Sequence, residues 1–454
     1  MNNLRVLIYS NPLVVNKISK QFLYWRDSGF IFTKNLLKHF PSNYRVTWVI
    51  PDKIKDTSWF TSAHPNVDIL PYPYSTSIHQ NRYEFYGEVF RKYFPYTTDI
   101  DVIINNQPEV SANLRAWTMN QKRDMPLIYS FFHWIDCKES RAFAQPLGGY
   151  FWRQFDGALH SDAVYFHKFT GAHKFYEEMI EQGVSDKLSL MTWREFAPPP
   201  TIYGDKPMEL SNKKIILFNH RLNNTTNWKM VYEIAERIYQ DRQDFVLWFT
   251  DEGRNLANTK KFKESPFLVV KEIPDESYAY FMKKAYFAVC AHKGYSTWNM
   301  AILDTVANGC YTLVPFDGVY VDMLGIAGQY HNFTDLEERM REALSSPVAK
   351  LKTFNSLTQS HIYRSLLVPL RDIVNDMHSD ILGIVTNAKQ PAKYDKVRDY
   401  IEEKGVATKR DWVNEFWSFH TNSNFQKIRW SLLLNGFSDN TKEKESTYEY
   451  QAPF

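Results

Sequence analysis

The sequence predicts an α/β protein: two facing Rossmann-like domains followed by a small C-terminal winged-helix-like domain. Three observations predict it. Short β-branched, apolar runs alternate with helix-length stretches, as in buried parallel strands joined by helical crossovers. The series is interrupted by a stiff, helix-hostile stretch, Phe196-Ala197-Pro198-Pro199-Pro200, and starts again at Lys214. A chain of 454 residues is also too long for one core, so two or three domains are expected.

Residues 4–9 (LRVLIY) read as the first strand, closed by the turn residues Ser10-Asn11-Pro12. Ser28-Gly29 precedes a helical stretch over 30–39. Residues 44–50 form the next strand, stopped by Pro51. Residues 101–105 (DVIIN) form another, ending in Asn106-Gln107. Residues 127–131 form a fourth, with His133-Trp134-Ile135-Asp136 at its carboxyl end. Residues 163–166 (AVYF) follow, then a helix over 171–182. This is the first domain, 1–200, assigned to the acceptor. Polar residues at strand carboxyl ends are where doubly wound sheets bind ligands.

In the second domain, 201–350, strands are expected at 214–218, 245–249, 267–270, 287–291 and 311–314. Helices are expected at 229–240, 276–285 and within 296–309. Residues 351–377 look like long helices, and 351–390 is expected to return to the first domain. A third unit, 391–454, reads as helices at 394–404, 409–419 and 424–434, with a polar hairpin tip at 439–445 and a strand at 446–450. That is the outline of a winged helix-turn-helix. In this reading Asn422, Ser423, Asn424, Gln426, Lys427 and Arg429 lie on the helix that contacts nucleic acid, with Lys442 and Lys444 on the wing. The competing reading is a helical cap used for packing or dimerisation.

The composition narrows the function. Hydrophobic content of 44% and charged content of 23% fit a soluble globular protein. A net charge of +3 makes no global polycation, so nucleic-acid contact would need a local patch. The three cysteines, Cys137, Cys290 and Cys310, are scattered. They suit neither a disulfide framework nor a zinc site, and fit a reducing cytoplasm. There is no signal-peptide pattern and no run long enough to span a membrane, so a cytoplasmic protein without a membrane partner is expected.

Two segments carry chemistry. Residues 218–229 (FNHRLNNTTNWK) end a buried strand and supply Arg221 and Lys229 where a helix begins. Residues 296–315 (STWNMAILDTVANGCYTLVP) form a helix carrying Asp304, closed by Asn308-Gly309. Two cations and a carboxylate in one crevice suit a nucleotide-sugar diphosphate: cations for the phosphates, the acid for ribose hydroxyls. The alternative is a solvated charge pair and an acid that caps or pairs locally.

At these segments the chain resembles the retaining GT-B glycosyltransferases. Their second domain has an Arg and a Lys after its first strand and an acid–x7–acid stretch on a late helix. The resemblance implies that Arg221 and Lys229 bind the diphosphate and Asp304 the ribose. Eight residues before Asp304 stands Ser296 rather than an acid, which leaves the donor sugar unidentified. The run Asn219-His220-Arg221, and 307–315 with Tyr320, is similar to the tRNA-queuosine mannosyltransferases. Thr225-Thr226-Asn227-Trp228-Lys229 resembles a stretch of the T-even phage DNA α-glucosyltransferases. Those enzymes also carry a His/Asp-containing strand end in the first domain, a place that His133 and Asp136 occupy here.

The expected function is transfer of a sugar from a UDP-type donor to a hydroxyl-bearing modified pyrimidine, such as hydroxymethylcytosine, in phage DNA. His133 and Asp136 would orient or deprotonate the acceptor; a hydrogen-bonded structural histidine is the alternative. Ser28 and Gly29 would place a helix N-terminus near the phosphate or sugar. The UDP-sugar is a co-substrate, with no metal strictly required and no other cofactor. The rival acceptors are tRNA and a cell-envelope glycan or lipid; a non-catalytic binder is the third reading.

Overall fold

The computed structural model describes residues 4–10, 22–74, 85, 92, 100–118, 126–137, 150–202, 204–222, 225–250, 264–292, 297–324, 328–361, 370–381, 406–408, 437–440 and 447–450. The chain divides into two compact units. One comprises Met1–Pro199 and most of the chain from Leu367 onward; the other comprises Pro200–Leu366.

The first unit is built on a seven-stranded parallel sheet. Its strands are β1 (Arg5–Tyr9), β2 (Arg45–Pro51), β3 (Val67–Tyr72), β4 (Val102–Asn105), β5 (Leu127–Phe132), β6 (Ala163–His167) and β7 (Trp193–Phe196), in the order β3-β2-β1-β4-β5-β6-β7. The two-residue period of β1 explains why it reads as continuously apolar. Val6 and Ile8 enter one core layer with Phe32, Trp48 and Phe131, while Leu7 and Tyr9 enter the other with Val49, Ile103 and Leu114. Two edge strands escape the sequence reading. β3 contains Pro71, which an edge tolerates because no ladder bond is needed on its open side. β7 is only four residues long and carries one charged residue on each face, Glu195 beside Trp193 and Arg194 beside Phe196.

The helix Leu370–Ile381 packs on this sheet, burying Ile373, Val374 and Met377 in its core. Asp380 accepts from Arg194 and from Tyr129 Oη, and Tyr44 Oη bonds His378 Nδ1 at 2.8 Å. The preceding helix, Val348–His361, falls within the second unit, where Asn355 Nδ2 donates to Val306 O.

The second unit carries a six-stranded parallel sheet: β8 (Lys214–Phe218), β9 (Phe245–Phe249), β10 (Leu268–Val270), β11 (Phe287–Val289), β12 (Thr312–Pro315) and β13 (Gln329–Tyr330), in the order β10-β9-β8-β11-β12-β13. Alternate residues of β8 again feed two layers, Ile216 and Phe218 on one side, Ile215 and Leu217 on the other. In each sheet the direction of winding reverses at one place, between β1 and β4 in the first and between β8 and β11 in the second. Crevices at such switch points are the ligand sites of open α/β sheets.

Near the C-terminus, β14 (Val406–Thr408), β15 (Phe437–Asn440) and β16 (Thr447–Tyr450) form an antiparallel sheet in the order β14-β16-β15. The three helices expected in this region, with Asn422, Ser423, Asn424, Gln426, Lys427 and Arg429, lie outside the described residues, as do Lys442 and Lys444.

Candidate functional site

At the first switch point, Asn106 follows β4 and its backbone N–H donates to Tyr9 O of β1. Its side chain is fixed by a chain of bonds. Thr33 Oγ1 spends its hydrogen on Gly29 O (2.8 Å), so it can only accept from Asn106 Nδ2 (3.0 Å). The amide oxygen therefore faces His133, and the 2.8 Å contact between His133 Nε2 and Asn106 Oδ1 requires that Nε2 carry the hydrogen. The His133 ring packs among Phe32, Phe196 and His167, and this burial pushes its pKa down to about 3. The imidazole is neutral, with Nδ1 as its basic nitrogen. Gly29 and His133 are neighbours: a Cβ on Gly29 would stand 3.6 Å from His133 Nε2.

The helix Ser28–Leu37 starts here, but its first donors are already engaged. The buried Asp27 side chain accepts from Gly29 N (2.9 Å) and Phe30 N (3.2 Å), and Asp27 O accepts from Ile31 N. An anion at Ser28-Gly29 would meet the Asp27 carboxylate, so of the two partners expected there, phosphate or sugar, this arrangement disfavours the phosphate. Asp136 belongs to a different network from His133. Its Oδ2 accepts from Phe151 N at the start of the helix Tyr150–Leu159, and its own N–H donates to Gln154 Oε1. Its Oδ2 caps the helix Tyr150–Leu159.

Sequence reasoning missed Asp27 and the pair His167-Lys168, and gave Asn106 no role of its own. His167 ends β6, with its ring centroid 5.6 Å from that of His133. Lys168 is buried, sits at φ +51° and pairs with Glu195 at 3.4 Å. Asp27 was legible as a strong N-cap residue just ahead of Ser28-Gly29, and Asn106 as a polar residue past a strand end.

In the second unit the segment after β8 is fastened at several points. Asn219 Nδ2 donates to Ala301 O in the first turn of the helix Met300–Ala307, and Thr226 Oγ1 donates to Arg221 O at 2.7 Å. Asn227 occupies the left-handed region (φ +50°), a conformation Asn tolerates, and its Nδ2 donates to Ala291 O beyond β11. These bonds set the positions from which Arg221 and Lys229 project. Both are exposed, and among the described residues neither has a carboxylate partner; Lys229 Nζ lies 5.7 Å from the Trp228 ring centre. Much of the unit's other basic surface is paired, including Lys206–Glu276, Lys214–Asp244, Arg237–Glu337, Arg242–Asp244, Lys283–Asp205 and Arg341–Asp241.

The helix Met300–Ala307 is capped by Asn299, whose Oδ1 accepts from Ile302 N while its Nδ2 donates to Tyr320 Oη at 3.0 Å. The cap takes up Ile302 N–H and leaves those of Met300 and Ala301 outside it. Asp304 is the unexpected element. Its carboxylate is 5% exposed and already engaged: Oδ1 accepts from Thr201 N (2.6 Å) and Oδ2 from Tyr278 Oη (3.1 Å). Burial pushes its pKa up to about 7, partly offset by those two bonds. It ties residues 201 and 278 to the helix rather than presenting an open acceptor for a ribose. Ser296 lies outside the described residues.

The architecture matches solved structures along most of its length. Sucrose-phosphate synthase from Thermosynechococcus elongatus superposes with a TM-score of 0.61 at 11% identity, covering 84% of this chain and 100% of that one. The N-terminal domain of Candida albicans trehalose-6-phosphate phosphatase gives 0.58 at 12% identity, covering 84% and 97%. The α,α-trehalose 6-phosphate synthase of Burkholderia multivorans gives 0.57 at 12% identity, covering 85% and 100%. The fold is that of the GT-B glycosyltransferases. No protein-family model matches the sequence, and no curated protein matches it significantly. Within the GT-B fold, Arg221 and Lys229 follow the first strand of the second sheet, and His133 follows the fifth strand of the first. Among the described residues no group of three or more His, Cys, Asp or Glu side chains is arranged to hold a metal ion, and no helix is long and apolar enough to cross a membrane.

Proposed function

We propose that the protein is a glycosyltransferase that moves a sugar from a UDP-type donor to a hydroxyl-bearing modified pyrimidine in DNA. The observation that carries the donor half is the pair Arg221 and Lys229. Two cations without carboxylate partners among the described residues stand at a pinned strand end in a GT-B fold. Positive charge held this way is a stabiliser for a leaving diphosphate, and the uncapped Met300 and Ala301 N–H groups add the favourable end of a helix dipole. His133 is the acceptor-side group of this reading: a neutral imidazole whose orientation Asn106 fixes can orient a hydroxyl by accepting its hydrogen bond, while its low pKa makes it a weak base. The DNA acceptor is supported by the likeness of Thr225–Lys229 to the T-even phage α-glucosyltransferases and by a C-terminal antiparallel ribbon, compatible with the wing of a winged helix. A base in a duplex would have to be turned out to be reached.

The test is incubation with radiolabelled UDP-sugars and four acceptors: hydroxymethylated DNA, unmodified DNA, tRNA and a lipid-linked glycan. Label on hydroxymethylated DNA alone is expected. Label on tRNA or glycan instead would retain the enzyme and replace the acceptor. Label that persists undiminished in Arg221→Ala would overturn the assignment of the diphosphate site.

A further inference from the structure

We propose that Asn219 and His220, at the end of β8, bind the hydroxyl groups of the donor's sugar; this rests on the reading above that the second unit binds a nucleotide sugar. The observation is a pair of buried polar atoms. Asn219 Oδ1 and His220 Nε2 are both shielded from solvent and have no hydrogen-bond partner. His220 is 8% exposed, with its ring against Phe218 at 5.2 Å. Leaving such atoms unpaired is costly, which is why nearly all buried polar atoms in proteins are satisfied. These two are adjacent in the chain and stand at the switch point of the second sheet, the place where open α/β sheets bind ligands.

Direction and chemistry narrow the ligand. Asn219 donates its amide N–H to Ala301 O, which fixes Oδ1 as the atom left over. His220 interacts electrostatically with His292, three residues past β11. Asn219 therefore reaches toward the helix that follows β11, and His220 stands within electrostatic range of the segment just past β11. Asn219 Oδ1 can only accept, so a phosphate oxygen is unfavourable beside it, whereas a hydroxyl donates to it directly. Burial holds His220 neutral, with a pKa of about 3, so its nitrogen offers one uncharged hydrogen bond. An uncharged acceptor and an uncharged imidazole form a set for a polyol, set apart in kind from the cations Arg221 and Lys229. In this conformation the covering residues must part for a ligand to reach these atoms.

The experiment is calorimetric titration of UDP and of UDP-glucose, UDP-galactose, UDP-N-acetylglucosamine and UDP-xylose into wild type, His220→Phe and His220→Gln. Phenylalanine keeps the ring contact with Phe218 and removes the unpaired nitrogen; glutamine returns a polar atom near the Nε2 position. The expected result is that one UDP-sugar binds wild type more tightly than UDP does. His220→Phe should lose about tenfold in affinity for that sugar nucleotide while retaining its affinity for UDP. His220→Gln should recover part of the loss, and the melting temperature of ligand-free His220→Phe should rise. If His220→Phe binds UDP and the UDP-sugar as wild type does, or loses both equally, the assignment to sugar hydroxyls is overturned with the nucleotide site intact. If wild type binds neither UDP nor any UDP-sugar, the donor reading itself fails and takes this inference with it.

Discussion

Arg194 and Asp380 form a two-pronged ion pair, with Nη1 2.8 Å from Oδ2 and Nη2 2.9 Å from Oδ1, across 186 residues of sequence. Arg194 sits on edge strand β7, Asp380 on the helix Leu370–Ile381, and the side chains are 11% and 24% exposed. Burial opposes the guanidinium charge, but its bonds to Asp380 and Tyr165 hold its pKa above the ordinary value. Removing one partner strands the other charge, so Asp380→Ala should lower stability by about 3 kcal/mol. Urea denaturation checks it, and a double-mutant cycle with Arg194→Met should recover part of the loss.

Arg221 and Lys229 should behave in the opposite way. Neither supports the fold, so Arg221→Ala and Lys229→Ala should change stability by less than about 0.5 kcal/mol. UDP affinity should fall about 10- to 100-fold in each, with a weaker dependence on salt. Calorimetry beside thermal melting separates the two effects; a large melting shift would mean that the loop, not the charge, had been lost.

The difference between these two kinds of cation was only half legible in the sequence. Arg221 and Lys229 could be found because they follow a recognisable strand. Buried apolar strands announce themselves, and β9 falls at 245–249 where the pattern puts it. Arg194 could not be classified, because its partner lies 186 residues away on a helix whose docking face only the fold reveals. Asp304 is the same problem at the site itself. A mid-helix acid looks available from sequence, and nothing near it signals that Thr201, 103 residues earlier, donates to it. Asp136 likewise reads as an acceptor-side group beside His133, and nothing near it signals that the helix at Tyr150 engages its Oδ2.

Asp304 gives a pH-dependent prediction. Its folded pKa of about 7 is raised above the exposed value of about 4, so the folded protein holds a proton that the unfolded chain has released. The associated stability is present below about pH 4 and lost as pH rises through 7. Asparagine can accept from Thr201 N and donate to Tyr278 Oη without a buried charge. Asp304→Asn should therefore stabilise the fold at pH 8, and that gain in unfolding free energy should shrink by about 2.6 kcal/mol on going to pH 5. A gain independent of pH would show that the carboxyl is not the titrating group.

The buried imidazoles run the other way. His133 and His220 titrate near 3 when folded and near 6.5 when exposed, so their contribution is present above pH 6.5 and lost as pH falls toward 3. Each should cost about 1.4 kcal/mol per pH unit across that window. In an Asp304→Asn background, which removes the opposing titration, His220→Phe should flatten the fall in urea midpoint below pH 6.5. By NMR the His133 ring resonances should not titrate between pH 5 and 8.

Asn227 links backbone conformation to the segment that carries Arg221 and Lys229. It enters the helix Trp228–Asp241 at φ +50° and ties the loop to Ala291 O, so that Lys229 starts from a fixed place. Alanine there keeps neither the tolerance for that conformation nor the bond, and should cost about 2 kcal/mol or more. Glycine adopts the conformation freely and loses the bond, at about 1 kcal/mol. Melting temperatures should fall in the order wild type, Asn227→Gly, Asn227→Ala. UDP affinity should fall in both variants, because the lost tether frees the segment that carries Arg221 and Lys229 whether or not the strain is relieved. Equal stability of the two variants would mean that the hydrogen bond, not the backbone, decides the residue at this position.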